Sequence, residues 1–99
     1  MIGDEFVLDF DNILGKVLLA EVCYFKNNEM YDRVQVYGKI IFAERNNKIT
    51  ICRNDNSLFS LPPDLSSVTL AQPGTYTLNS NGENVDNPDL LAKWSVYYE

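Results

Sequence analysis

The stretch from Arg33 to Ala43, RVQVYGKIIFA, alternates between apolar and more polar residues with a period of two. In an extended chain, successive side chains point to opposite faces, so one face would carry valine, isoleucine and phenylalanine. Such alternation predicts a β-strand with one buried side. Gly38 interrupts the apolar face, where a bulge or a barrel corner would bend the strand.

The end of this strand is predicted to form the first half of a hairpin over residues 40–53. Asparagine tolerates a positive φ better than any residue except glycine, so Asn46-Asn47 predicts a two-residue turn. This turn would place Phe42 opposite Ile51 on the apolar face.

Asn81-Gly82 is a stronger signal for a second hairpin. A two-residue turn there would pair Leu78 with Val85 and Ser80 with Glu83. Before it, residues 61–64 read Leu-Pro-Pro-Asp, which removes two amide donors and predicts a crossover between the hairpins.

Two further runs are predicted as strands. Residues 16–26 are apolar on both sides apart from Glu21, which is typical of a central strand, although residues 17–22 also allow a helical interpretation. Residues 93–98 alternate in the manner of a strand. Residues 87–92, Asn-Pro-Asp-Leu-Leu-Ala, could form one helical turn, and residues 4–14 indicate no particular structure.

Together these patterns predict an all-β protein. We expect a small antiparallel barrel or sandwich built from hairpins, with at most one short helical turn, as a single domain over residues 1–99. An incompletely closed sheet would leave an apolar edge, through which two copies could pair as a homodimer.

Composition narrows the partners and the compartment. The 99 residues are 45% hydrophobic and carry a formal net charge of -6, which opposes binding to nucleic acid or to an anionic membrane. No export signal or membrane span is evident, so we expect a cytoplasmic protein. Cys23 and Cys52 lie in apolar runs and are predicted to be free, buried thiols rather than a disulfide.

The residues that most enzymes need are absent. The chain has no histidine, which removes the commonest general base and the commonest transition-metal ligand. Neither a GxxxxGK[ST] nor a GxGxxG motif is present, so no nucleotide cofactor is expected. Asp9, Asp11 and Asn12 match a calcium loop only in part, so no metal is expected either. Carboxylates alone could still support acid/base catalysis, but their spacing does not call for it.

Binding fits these residues better than catalysis. Tyrosine and arginine anchor many protein interfaces, and several tyrosines are predicted on the less apolar faces of strands, where Arg33 shares a face with Tyr37. The acidic loops form either one negative rim or dispersed solubilising charge. The candidate partner-binding residues are Tyr31, Asp32, Arg33, Tyr37, Asp55 and Tyr97.

In charge, size and lack of catalytic residues, the chain resembles the immunity proteins that bacteria make against their own toxins. That resemblance implies an acidic, non-enzymatic module that covers a basic toxin or nuclease, although no motif identifies a particular immunity family. The alternative is a small β-barrel resembling OB or SH3-like folds. Such a barrel would bind single-stranded nucleic acid or a small ligand through Tyr37, Phe42 and Tyr97.

Overall fold

The computed structural model describes residues 8–78 and 82–98, and in this part of the chain the fold is all-β, as predicted. A single 3₁₀ turn (Leu65–Ser67) accompanies the strands. The strands are β1 (Val17–Lys26), β2 (Glu29–Ala43), β3 (Ile49–Cys52), β4 (Leu58–Leu61), β5 (Val68–Leu70), β6 (Thr75–Thr77), β7 (Asn84–Asp86) and β8 (Leu90–Tyr98). None of the described segments is a helix long and apolar enough to cross a membrane.

Six of these strands form one sheet in the order β4-β3-β2-β1-β8-β5, and β6 and β7 form a second, smaller sheet. β1 lies in the interior of the large sheet, as predicted for residues 16–26, and the helical interpretation of residues 17–22 is wrong. β1 pairs antiparallel with β2 but parallel with β8. The hairpin patterns predicted antiparallel pairs alone. The sequence does not indicate the parallel pair, because alternation with a period of two is the same for either strand direction.

The core lies on one face of the large sheet, which we call the inner face. Alternate residues of β1, namely Leu18, Ala20 and Val22, are buried on it. The alternation that predicted β2 also holds, since Val36 and Ile40 are buried on the same side. The other buried residues of this cluster are Ile13, Ile49, Ile51, Leu61, Val68, Leu90 and Trp94.

The hairpin between β2 and β3 is present, but its predicted turn and register are wrong. Among the described residues other than glycine, positive φ occurs at Asn27, Asn28, Asn56 and Asn87. Asn46 and Asn47 therefore do not form the predicted two-residue turn, which requires positive φ at both residues. The chain instead turns over residues 44–48, where the Glu44 N–H donates to the Lys48 carbonyl at 3.1 Å. A bulge shifts the register by one residue, so Phe42 faces Thr50 and Ile40 faces Ile51.

The two-residue asparagine turn lies between β1 and β2 instead. Asn27 and Asn28 have φ of 52° and 67°, and they connect Lys26 directly to its partner Glu29. Positive φ at both central residues matches a type I′ hairpin turn, whose twist suits the flanking strands. Both Asn-Asn pairs carry the same local signal, and the strands that flank them decide which one adopts this turn.

The second hairpin joins β6 and β7, with a longer loop than predicted. Tyr76 faces Val85, and the Leu78 N–H donates to the Glu83 carbonyl at 2.8 Å. Leu78 therefore lies opposite Glu83, and its predicted pairing with Val85 is wrong. Ser80, predicted to face Glu83, is outside the described residues.

The helical turn predicted over residues 87–92 is also wrong. Leu90 begins β8, and residues 90–92 pair with β1 on one side and β5 on the other. Asn87 has φ of 49° and turns the chain into this strand. The 3₁₀ turn occurs at Leu65–Ser67, where the Asp64 side chain accepts the Ser66 N–H at 3.0 Å.

Cys23 and Cys52 are both free, as predicted, although Cys52 is only partly buried. Cys23 pairs with Arg33 on β2 and Cys52 pairs with Lys39, six residues further along the same strand. At about 3.3 Å per residue this separates the cysteines by roughly 20 Å, well beyond the reach of a disulfide.

The large sheet narrows towards the Asn27-Asn28 turn. β3 pairs only with residues 39–43 of β2, and β5 pairs only with residues 90–92 of β8. Beyond these levels β1, β2 and β8 continue as three strands, in a molecule with extents of 47 × 31 × 26 Å.

Gly38 is required by a close approach of the backbone. A Cβ atom at this position would lie 2.4 Å from the Cys52 carbonyl oxygen and 2.8 Å from its carbon. We expect Gly38→Ala to lower the free energy of unfolding by about 1 to 3 kcal/mol, because the start of the β3–β4 loop must move. Urea denaturation measures this, with Ser60→Ala on exposed β4 as the control; equal stability of the two variants would contradict it.

Candidate functional site

The narrow end of the large sheet carries a group of five aromatic side chains and one methionine that we call the aromatic arm. They come from the last residues of β1 and β8 and the first residues of β2. Phe25 lies opposite Tyr97 in the register, and Tyr24 lies opposite Val96. The arm comprises Tyr24, Phe25, Met30, Tyr31, Tyr97 and Tyr98.

Three tyrosines of the arm group on the inner face. The rings of Tyr24 and Tyr31 have centroids 6.3 Å apart, and the Tyr98 ring lies 6.5 Å from each of them. A bulge makes this possible, since Asp32 pairs with Tyr24 and Met30 pairs with Phe25, leaving Tyr31 as the extra residue. Bulges commonly redirect a side chain in this way.

The outer face carries a stacked pair of rings. Phe25 and Tyr97 stack with centroids 4.9 Å apart and planes inclined by 19°. Parallel pairing of β1 with β8 puts these residues side by side. The arm therefore presents aromatic surface on both faces of the sheet. Stacking favours fixed ring orientations over free rotation of each ring.

Most of the arm is open to solvent. The exposed fractions are 53% for Met30, 57% for Tyr31, 66% for Tyr97 and 50% for Tyr98. At the tip, Tyr97 and Tyr98 form a cleft of about 390 Å³ with Asn27 and Asn28. Contiguous exposed apolar surface of this kind is typical of interaction sites, and tyrosine and methionine are enriched in them.

The charged residues described around the arm balance one another. Lys26 and Arg33 accompany Glu29 and Asp32, and the Asp32 carboxylate accepts the backbone N–H of Arg33 at 2.8 Å. Burial, followed by the neighbouring Tyr98, raises the pKa of Tyr24 above its usual value. The phenol of Tyr24 is therefore neutral at physiological pH, and aromatic surface dominates the site.

The structure divides the six candidate partner-binding residues into two groups. Tyr31, Asp32, Arg33 and Tyr97 all belong to the narrow end of the sheet. Arg33 lies on the outer face opposite Cys23, and Tyr37 shares that face opposite Leu19, as predicted. Tyr37 and Asp55, however, lie away from the arm.

Tyr37 connects the two sheets. Its hydroxyl donates to Glu83 Oε2 at 2.5 Å, and the Asn54 side-chain amide donates to the Tyr37 oxygen at 2.9 Å and to Glu83 at 3.1 Å. The bond to Glu83, followed by burial, raises the pKa of the Tyr37 phenol. This arrangement joins β2, the β3–β4 loop and the residue preceding β7, so Tyr37 has a structural role here.

Asp55 stabilises its own loop. Its carboxylate accepts both the backbone N–H of Ser57 at 2.9 Å and the Ser57 hydroxyl at 2.5 Å. These two bonds lower the pKa of Asp55 below its usual value. Such local bonds are the common way in which aspartate organises a turn.

Three other acids also accept hydrogen bonds within the fold. Asp64 accepts bonds from Ser66, Asp86 accepts the Thr75 hydroxyl, and Asp89 accepts the Val17 N–H at 2.8 Å. Asp64 and Asp89 lie in two different connections of the chain, and Asp86 is the last residue of β7. This favours dispersed charge with structural roles over a single acidic patch.

The aromatics of the barrel alternative do not share one surface. Tyr37 lies at the level of Leu19 and Tyr97 at the level of Phe25, six residues further along β1. That is roughly 20 Å of extended strand. Phe42 lies further still from Tyr97, near the opposite end of β2.

The six candidate residues did not include Tyr24 and Tyr98, and the sequence analysis did not single out Phe25 and Met30. Phe25 and Met30 both lie within two residues of Asn27-Asn28, in the segment Tyr-Phe-Lys-Asn-Asn-Glu-Met-Tyr. Assigning the turn to this pair would have placed the aromatics before and after it at one end of a hairpin. The contribution of Tyr97 and Tyr98 depends on the parallel pairing of β8, which has no local signal.

Removing the Tyr37 hydroxyl should weaken the hydrogen-bonded contact between the two sheets. We expect Tyr37→Phe to lower the free energy of unfolding by about 1 kcal/mol at neutral pH. The pKa of Tyr37 is raised in the folded state. The contribution of its hydroxyl to the free energy of unfolding is therefore complete below the unfolded-state pKa of about 10, and it is lost as pH rises through the folded-state pKa. Denaturation at several pH values measures the difference, with Tyr97→Phe as the control; a difference constant through pH 11 would contradict it.

Comparison of the chain with protein families, with curated proteins and with solved structures finds no match.

Proposed function

We propose that this protein is a non-enzymatic binding module whose aromatic arm docks onto another protein. The observation that carries the proposal is the exposure of Met30, Tyr31, Tyr97 and Tyr98, each at least half accessible, at one end of the sheet. Burying such side chains in a partner removes a large apolar area from water.

The arrangement of the rings also lowers the entropic cost of binding. Phe25 supports Tyr97 by stacking, and Tyr24 contacts both Tyr31 and Tyr98 on the inner face. A side chain held by its neighbours loses less rotamer freedom when a partner covers it. Rigid tyrosines are efficient binding residues for this reason.

Charge supports a basic partner. The net charge of -6 attracts a cationic protein over a distance and raises the encounter rate. The arm itself is nearly neutral, so close contact would depend on the aromatic side chains. We therefore propose an immunity-type module that covers a basic toxin or nuclease in the cytoplasm, with long-range attraction from its net charge and close contact through the arm.

The arm can be tested by removing two of its exposed rings. We expect Tyr31→Ser combined with Tyr97→Ser to weaken binding of a partner about 100-fold, because exposed tyrosines commonly act as hot spots. Affinity capture from the native host and mass spectrometry identify the partner, and calorimetry measures the change.

Leu58→Ser and Leu70→Ser are the matched controls for this experiment. Leu58 on β4 and Leu70 on β5 are 62% and 54% exposed, so each control removes a comparable surface apolar group away from the arm. Retention of full affinity by the double tyrosine variant would overturn the proposed function.

Electrostatic steering makes a separate prediction. The association rate constant for a basic partner should fall at least about fivefold as salt rises from about 0.05 M to about 0.5 M. The dissociation rate constant should change much less, because it depends on the buried aromatic contact. Stopped-flow measurements give both rate constants separately. An association rate constant that is independent of salt concentration would exclude electrostatic steering.

A further inference from the structure

We propose that the outer edge of β8, beyond its pairing with β5, accepts an extended segment of the partner as an additional strand. This inference rests on the proposed function and specifies how the partner's backbone engages the arm. Such strand addition takes its affinity from main-chain hydrogen bonds and its specificity from side chains that alternate between the faces.

The first observation is that no described strand pairs with this edge beyond Ala92. The 3₁₀ turn at Leu65–Ser67 packs beside Trp94, where the Asp64 carbonyl accepts the Trp94 indole N–H at 3.1 Å, so that the free part of the edge is Ser95 to Tyr98. β5 pairs with β8 only through Leu90, Leu91 and Ala92. Beyond Ala92, no strand within residues 8–78 and 82–98 lies on the side of β8 that faces away from β1. Backbone groups on an open edge form a template for another extended chain.

The direction of the backbone groups follows from the tip of the arm. The Asn27 N–H donates to the Tyr98 carbonyl at 3.3 Å, so the backbone of Tyr98 faces β1. Along a strand in a parallel pair, alternate residues direct their N–H and C=O to the same neighbour. Val96 therefore also faces β1, whereas Ser95 and Tyr97 present their N–H and C=O outward.

The second observation is the low charge of this edge, which has Lys93 directly after Ala92 and no ionised side chain over residues 94–98. Residues 94–98 read Trp-Ser-Val-Tyr-Tyr, which contains no group that is ionised at neutral pH and no proline. The outer edge of β2 at the same end of the sheet carries Glu29, Asp32 and Arg33, and charged residues discourage edge pairing. An uncharged partner segment thus matches β8 better than β2.

The side chains next to this edge suit an added strand. Tyr97 lies on the outer face and Tyr98 on the inner face, and both are at least half exposed. A strand beside β8 would place its alternate side chains against these rings. The cleft that Tyr97 and Tyr98 form with Asn27 and Asn28 continues the surface at the end of the edge.

A second copy of this chain fits the edge less well than a different protein. Pairing two β8 edges would involve about five residues from each copy, against the roughly 20 to 30 per side of a stable interface. Each copy also carries a net charge of -6, so two copies repel one another. A larger partner could continue from the edge onto Met30 and Tyr31.

The experiment uses a blocked hexapeptide of three Thr-Val repeats as the probe, with NMR of the full chain. At about ten times its Kd, bound peptide should slow exchange of the Ser95 and Tyr97 amide hydrogens about tenfold. The same peptide N-methylated on alternate residues cannot form the ladder and should have no such effect. Equal slowing by both peptides, or no slowing by either, would overturn the proposal.

A pair of variants tests the same edge in the protein. Ser95→Pro removes an outward N–H, which an edge strand tolerates, while Ser95→Thr keeps it. We expect the proline variant to lose peptide binding at least about tenfold and the threonine variant to keep it, with circular dichroism confirming that both fold. If Ser95→Pro does not fold, the N-methylated peptide alone decides.

Two outcomes separate this inference from the proposed function. If Ser95→Pro binds a captured partner normally while the double tyrosine variant does not, the arm is the site and strand addition is wrong. Slowing of the Ser95 and Tyr97 amides that grows with protein concentration, without peptide, would show that a second copy is the occupant and would also overturn the proposal.

Discussion

The pairing of β1 with two neighbours is the constraint on which the rest of this structure depends. β1 forms an antiparallel ladder with β2 and a parallel ladder with β8, each along most of its length. These ladders align Leu18 with Leu90 and Val22 with Trp94 at the centre of the core. The same alignment continues past the core and sets Phe25 beside Tyr97.

Core and candidate site are thus two ends of one set of strands. Where β3, β4 and β5 accompany the three long strands, the inner face is buried, and Leu18 and Ile40 are almost inaccessible. Where those strands end, the alternation continues with Tyr24 and Tyr98, the bulge adds Tyr31, and nothing else in the described structure covers these rings fully. The cover of the inner face reaches as far as Val22 and Trp94, and the aromatic arm is exposed because the long strands extend beyond it.

The acidic side chains have a different distribution. Asp55 and Asp64 accept bonds from backbone groups two residues away in their own loops, whereas Asp89 accepts the N–H of Val17 at the start of β1. Their charge still contributes to the long-range field of the protein. Steering by the whole molecule and contact at the aromatic arm can therefore act together without an acidic patch at the arm itself.

The sequence by itself determined the all-β class, the burial of one face of β2, the interior position of β1 and the free cysteines, because periodicity and composition act locally. Only the tertiary structure decided the registers, the parallel partner of β1 and which Asn-Asn pair forms the tight turn. Asn27-Asn28 and Asn46-Asn47 have the same local preference, so their different conformations depend on the strands around them. The aromatic arm arises from contacts between residues some 70 positions apart, such as Phe25 and Tyr97, which no local pattern specifies.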